Sequence, residues 1–89
     1  MKYNLRTHNG LEIDLIIENQ SRLVPFEIKL SKSPNPAMAK PIHHFKRQFS
    51  KLNIGEGMLI SLVGEKFRIS EEVICLGFSD YLNHLKKFI

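Results

Sequence analysis

Tryptophan is absent from this 89-residue chain and cysteine occurs once. The single thiol, Cys75 in the apolar run Val73-Ile74-Cys75-Leu76, excludes an internal disulfide and fits a reducing cytosol. No apolar stretch approaches the roughly 20 residues needed to cross a bilayer. No secretory leader is visible at Met1-Lys2-Tyr3-Asn4, so a cytoplasmic location without a membrane partner is expected. The nucleotide-binding pattern Gly-x-x-x-x-Gly-Lys-Ser/Thr occurs nowhere. Acids are also missing from one stretch: between Glu27 and Glu56 there is none, while that span holds Lys29, Lys32, Lys40, Lys46, Arg47, Lys51, His43 and His44. A local basic segment of this kind suits a polyanionic partner, and a solvated helix face explains it equally well. Phe45 and Phe49 read as core, which leaves few aromatics for base stacking. The expected contact with such a partner is therefore through phosphates, without sequence reading.

What is present points to one small domain over residues 1–89 with an ordinary apolar fraction of 43%. Two strands are read first. Leu11, Ile13, Leu15 and Ile17 alternate with Glu12, Asp14, Ile16 and Glu18; Val24, Phe26, Ile28 and Leu30 alternate with Leu23, Pro25, Glu27 and Lys29. A period of two marks half-buried strands. With Asn19-Gln20-Ser21-Arg22 as the loop, Glu18 falls opposite Leu23 and Asp14 opposite Glu27, and both apolar faces land on one side. Opposed Cβ atoms stand roughly 5 Å apart, and Glu27 and Lys29 are about 6.6 Å apart along their strand. Two carboxylates and an amine therefore converge. Carboxylates this close repel and desolvate one another, so a positive group is expected among them: Lys29, a divalent cation, or both. Hard cations such as Mg²⁺ are held by one or two carboxylates with water and substrate phosphate, and such a set supports phosphodiester hydrolysis. An ordinary Asp–Glu–Lys network on a solvated strand face is the plainer alternative.

The string Arg6…Gly10-Leu11-Glu12-Ile13-Asp14-Leu15…Pro25-Phe26-Glu27-Ile28-Lys29…Ser31…Ser33-Pro34 resembles the PD-(D/E)xK, or restriction-endonuclease-like, superfamily. It is most similar to the uncharacterised C-terminal domain that follows an AAA+ ATPase module in bacterial and archaeal proteins. The resemblance implies a DNA-cleaving site with Mg²⁺ (or Mn²⁺) held by Asp14, Glu27 and the carbonyl of Ile28, and Lys29 as the catalytic lysine. The first strand begins almost at Met1, so the superfamily's opening helix is not expected. The chain is then either a fragment of a larger ATPase or a small protein encoding the sheet-centred half. A non-catalytic module that binds nucleic acid or protein is the alternative function, and a plain interaction domain is a third.

The remaining elements follow from pattern. The first strand covers about 2–7. A two-residue turn at Asn9-Gly10 would set Arg6 on the apolar face; a three-residue turn at His8-Asn9-Gly10 sets Tyr3 and Leu5 there, beside Leu15 and Ile13, and places Arg6 opposite Glu12. Arg6 then either binds phosphate or pairs with Glu12, the second being favoured. Leu30 to Pro36 is a loop in which Ser31 and Lys32 are within reach of a phosphate, although a plain connector accounts for it. Pro41 opens a helix with Ile42, Phe45, Phe49 and Leu52 as its buried stripe; Lys46, Arg47 and Lys51 stay outside, as candidates for nucleic-acid contact. Adjacent His43 and His44 point about 100° apart on a helix and do not chelate one metal. Gly57 to Val63 reads as a strand covered on both faces, Phe67-Arg68-Ile69 as a short edge strand and Val73 to Phe78 as the last strand. Ser79 is expected to cap a helix over 80–88 with Tyr81, Leu82, Leu85 and Phe88 inward. The order β-β-β-α-β-(β)-β-α predicts an α/β fold with a mixed sheet, a restriction-endonuclease-like core lacking its first helix. Ile16 and Leu23 then sit uncovered on the polar face, which predicts a homodimer.

Overall fold

The computed structural model describes residues 2–6 and 12–86, and the side chains at 13–83 and 86. Its strands are β1 (Lys2–Arg6), β2 (Glu12–Asn19), β3 (Arg22–Ile28), β4 (Gly57–Ser61), β5 (Phe67–Ser70) and β6 (Val73–Gly77). Its helices are α1 (Lys40–Gln48) and α2 (Phe78–Leu85), with a short 3-10 helix at Pro36–Ala39 before α1. The six strands form one sheet in the order β1-β2-β3-β4-β6-β5. β1, β2 and β3 are an antiparallel meander. β4 then pairs parallel to β3, and β6 parallel to β4, with β5 antiparallel on the far edge. The fold is α/β with a mixed sheet, in the expected element order. Among the described residues no helix is long and apolar enough to cross a membrane.

Glu18 lies opposite Leu23, as the pattern requires, but the loop is tighter than four residues. Asn19 pairs with Arg22, and only Gln20 and Ser21 turn, at φ of 54° and 65°. Positive φ at both central positions is the mark of a type I′ hairpin, whose twist matches that of the strands. The turn between β1 and β2 lies outside the described residues. Its consequence is visible all the same: Arg6 pairs with Glu12 and Leu5 with Ile13.

Strict alternation in β2 does not hold. Tyr3 lies opposite Ile16, whereas Leu5 lies opposite Ile13, so β2 spends three steps where β1 spends two. The extra residue is a β-bulge at Asp14–Leu15, and a bulge shifts side chains from one face to the other. Ile13 accordingly joins Ile16 in the cluster under α1, while Leu15 and Ile17 pack on the opposite face.

The face read as polar is in fact covered. Ile42 and Phe45 of α1, with Ala39, pack on Ile16, Leu59, Val73 and Cys75, and Leu23 packs against the rim. The argument for a second copy on Ile16 and Leu23 therefore loses its basis. The opposite face carries Ile17, Val24, Phe26, Ile60 and Leu76 under Tyr81 of α2, whose ring lies 5.7 Å from that of Phe26.

Both helices are shorter than periodicity suggests. α1 ends at Gln48, and Phe49 leaves helical geometry at φ −114°, ψ 46°. Leu52 is thereby carried out of the buried stripe and stands 49% exposed. α2 begins at Phe78, so Ser79 lies inside it rather than capping it, and Leu82 is exposed. The side chain of Leu85 and residue Phe88 lie outside the described residues. β4 stops at Ser61, leaving Leu62 exposed.

Candidate functional site

The antiparallel pairing of β2 with β3 runs from Asn19–Arg22 to Leu15–Phe26. Beyond it the strands take other partners: β2 continues along β1 to Glu12, and β3 continues along β4 to Ile28. A fork opens between them, and the bulge at Asp14 stands at its apex. The Oδ2 of Asp14 accepts the Ile28 N–H at 2.8 Å, replacing a bond from the ladder. Bulges beside a site re-aim a side chain in this way.

Glu27 projects into the same fork. It is only 4% exposed, and its carboxyl hydrogen-bonds that of Asp14. Burial is the main reason its pKa is pushed up to about 8; the bond to Asp14 and the negative charge of Asp14 add to it. The ammonium of Lys29 and the Ile28 N–H pull the other way without prevailing. Near neutral pH the balance for Glu27 is thus tilted toward the protonated form, beside the Asp14 carboxyl. Lys29 itself is exposed at the strand end. The structure therefore brings Asp14, Glu27, Ile28 and Lys29 together, at the carboxyl end of the parallel strands, where ligand sites of open α/β sheets lie.

The donor set fits a hard divalent cation. Two carboxyls from neighbouring strands meet where a cation would satisfy both, and oxygen ligands are the kind such ions take. Asp14, Glu27 and the Ile28 carbonyl would hold it. Among the described residues no group of three or more His, Cys, Asp or Glu side chains gathers as a metal cluster; what they offer here is a pair of carboxyls and backbone.

The basic residues divide between the two ends of the sheet. Lys32 is exposed just beyond Lys29, at the carboxylate end. α1 carries the chain back to the other end. There Lys46 donates to the Gly55 carbonyl at 3.2 Å and pairs with Glu72 at 2.9 Å, and Leu23 bonds Asn53 and Gly55. The four β3 steps from Leu23 to Glu27 span about 13 Å. Lys46, Arg47 and Lys51 are therefore not brought to the carboxylates; Arg47 and Lys51 are exposed, and Lys46 is engaged. The side chain of Arg6 lies outside the described residues. His43 bonds the Ser70 hydroxyl at 2.7 Å, tying α1 to β5.

One residue near the site was not singled out from sequence. Ser61 is wholly buried at the end of β4. Its hydroxyl accepts the Ser31 N–H at 3.1 Å and makes a short donation to the Ser31 carbonyl. The available signal was a lone hydroxyl inside Leu59-Ile60-Ser61-Leu62.

A mixed sheet forked around a carboxyl pair thus defines the class of domain. The chain matches the family model described as Domain of unknown function (DUF4143) over residues 2–81, and it belongs to that family. The family is commonly a C-terminal domain of AAA-type ATPases. Searches of curated proteins and of solved structures returned no match.

Proposed function

We propose that this domain is a metal-dependent nuclease-like module that hydrolyses phosphodiester bonds of DNA, with Asp14, Glu27 and Lys29 as its working groups. The observation that carries the reading is the contact between the Asp14 and Glu27 carboxyls in the β2–β3 fork, with Lys29 close enough to act on Glu27. The antiparallel meander followed by a helical crossover to a parallel strand supports the resemblance to restriction-endonuclease-like cores. A bound Mg²⁺ or Mn²⁺ supplies polarisation of a phosphoryl oxygen and a more acidic water. Asp14 is fixed for this role by the Ile28 N–H. Glu27 must give up its proton to become a ligand, so cation binding is coupled to proton release. The exposed ammonium of Lys29 stabilises negative charge on the phosphate and orients water. Lys32 contacts a neighbouring phosphate. Arg47 and Lys51 are left for phosphates further along the nucleic acid, and Lys46 is held by Glu72.

The test is nicking of supercoiled DNA with Mg²⁺ or Mn²⁺ by the wild type, Glu27→Ala and Lys29→Ala. Cleavage by the wild type alone is expected. No cleavage of DNA or RNA, or cleavage that survives both substitutions, refutes the enzymatic reading. A second reading, a non-catalytic DNA- or protein-binding module of an ATPase, draws on the family's usual place behind AAA-type modules and on the tilt of Glu27 toward its protonated form near neutral pH. It predicts salt-dependent DNA binding that Glu27→Ala leaves intact.

A further inference from the structure

We infer that Ser61 is a positioning residue for the site: its buried hydroxyl clamps the chain just past Lys29, and so sets where the Ile28 carbonyl and the Lys29 ammonium stand. The inference rests on the reading of the site as a cation centre.

β4 runs parallel to β3 with Leu59 beside Glu27. Ser61, one pleat further on, takes the place beside Lys29 on the same face. Neighbouring buried residues of β4 are Leu59 and Ile60, and an apolar side chain there would avoid burying a hydroxyl. The hydroxyl is not needed to satisfy the backbone. The Ser31 N–H also reaches the Lys29 carbonyl at 2.8 Å, and the Ser31 carbonyl also accepts the Leu62 N–H at 3.0 Å. Without Ser61 both groups keep a partner. What the hydroxyl adds is direction: it grips both the N–H and the C=O of one residue, and the Lys29 N–H is pinned to the Ile60 carbonyl at 2.9 Å. The grip extends outward, since the Ser31 hydroxyl accepts the Ser33 N–H at 3.0 Å. The exit of β3 is thereby fixed at the point where it carries the proposed backbone ligand and lysine. Groups that orient metal ligands from behind govern affinity without touching the ion.

The experiment measures Mn²⁺ affinity by the spin-resonance signal of the free ion, for the wild type, Ser61→Ala, Ser61→Thr and Asp14→Asn, with urea unfolding of each variant without metal. Binding by the wild type that Asp14→Asn abolishes, weakened roughly 10-fold by Ser61→Ala and recovered by Ser61→Thr, supports the clamp. A merely structural serine would change the unfolding midpoint and leave the affinity of the folded protein alone, which overturns the inference while the site stands. If Ser61→Ala does not fold, Ser61→Cys takes its place: it fills the same space with a poor hydrogen-bonding group, and Mn²⁺ binding as tight as the wild type's overturns the inference while roughly 10-fold weaker binding supports it. Absence of wild-type binding, or binding indifferent to Asp14→Asn, sinks the cation centre and the clamp with it.

Discussion

Replacing Glu27 by glutamine should make the domain more stable at alkaline pH, and the size of the gain follows from the carboxyl pair. Glu27 titrates near 8 in the folded chain against 4.5 when unfolded. Its folded pKa is raised, so the native state holds more protons than the unfolded state between those values. The stabilisation is full below pH 4.5 and is lost as pH rises through 8. At about 1.36 kcal/mol per pH unit, the domain should lose about 3–5 kcal/mol between pH 4.5 and 8, the lower end allowing for water that enters the fork. This is comparable with the whole stability of many small domains. Glutamine keeps a donor for Asp14 and cannot ionise, so Glu27→Gln should flatten the profile and exceed the wild type at pH 8. Urea unfolding at half-unit intervals from pH 5 to 9 measures both curves. A wild-type stability that stays level from pH 5 to 8, or a variant that falls in parallel with it, would show that burial beside Asp14 does not raise the Glu27 pKa.

Neutralising Arg47 and Lys51 together should lower the slope of log affinity for DNA against log salt by about 2, whereas Lys46→Gln should leave the slope unchanged and lower the unfolding midpoint only slightly through its lost pair with Glu72; filter binding across salt concentrations and urea unfolding separate these. Cys75 is fully buried, and burial raises its thiol pKa, so a thiol reagent at pH 8 should modify it only as fast as the domain opens, with urea accelerating the reaction in step with unfolding. In Gly77→Ala the new methyl would run into the Val63 carbonyl oxygen, with an expected loss of about 1–3 kcal/mol and a lower melting temperature by calorimetry.

Element order, the antiparallel pairing of the first three strands and the pairing of Glu18 with Leu23 were legible because they follow from the period of apolar residues and the length of the connections. Those are local quantities, written along the chain. For the same reason Asp14, Glu27 and Lys29 could be gathered by counting along two strands, while Ile28 was named by the resemblance. Counting could not find the bulge at Asp14. It depends on how β1 pairs with β2, and it moves Ile13 to the other face while aiming Asp14 at the Ile28 N–H. Nor could it tell that α1 would lie over the face that holds Ile16 and Glu27.

The chain of residues by itself therefore determined an α/β meander-and-crossover and a meeting of acid, acid and amine. Tertiary structure alone decided the rest. Burial within the folded sheet dries out Glu27 and raises its pKa, because desolvation depends on what covers a carboxyl rather than on its neighbours in sequence. The same crossover carries Lys46, Arg47 and Lys51 away from the carboxylates: a helix that must return the chain to the start of a parallel strand delivers its last turn to the opposite end of the sheet.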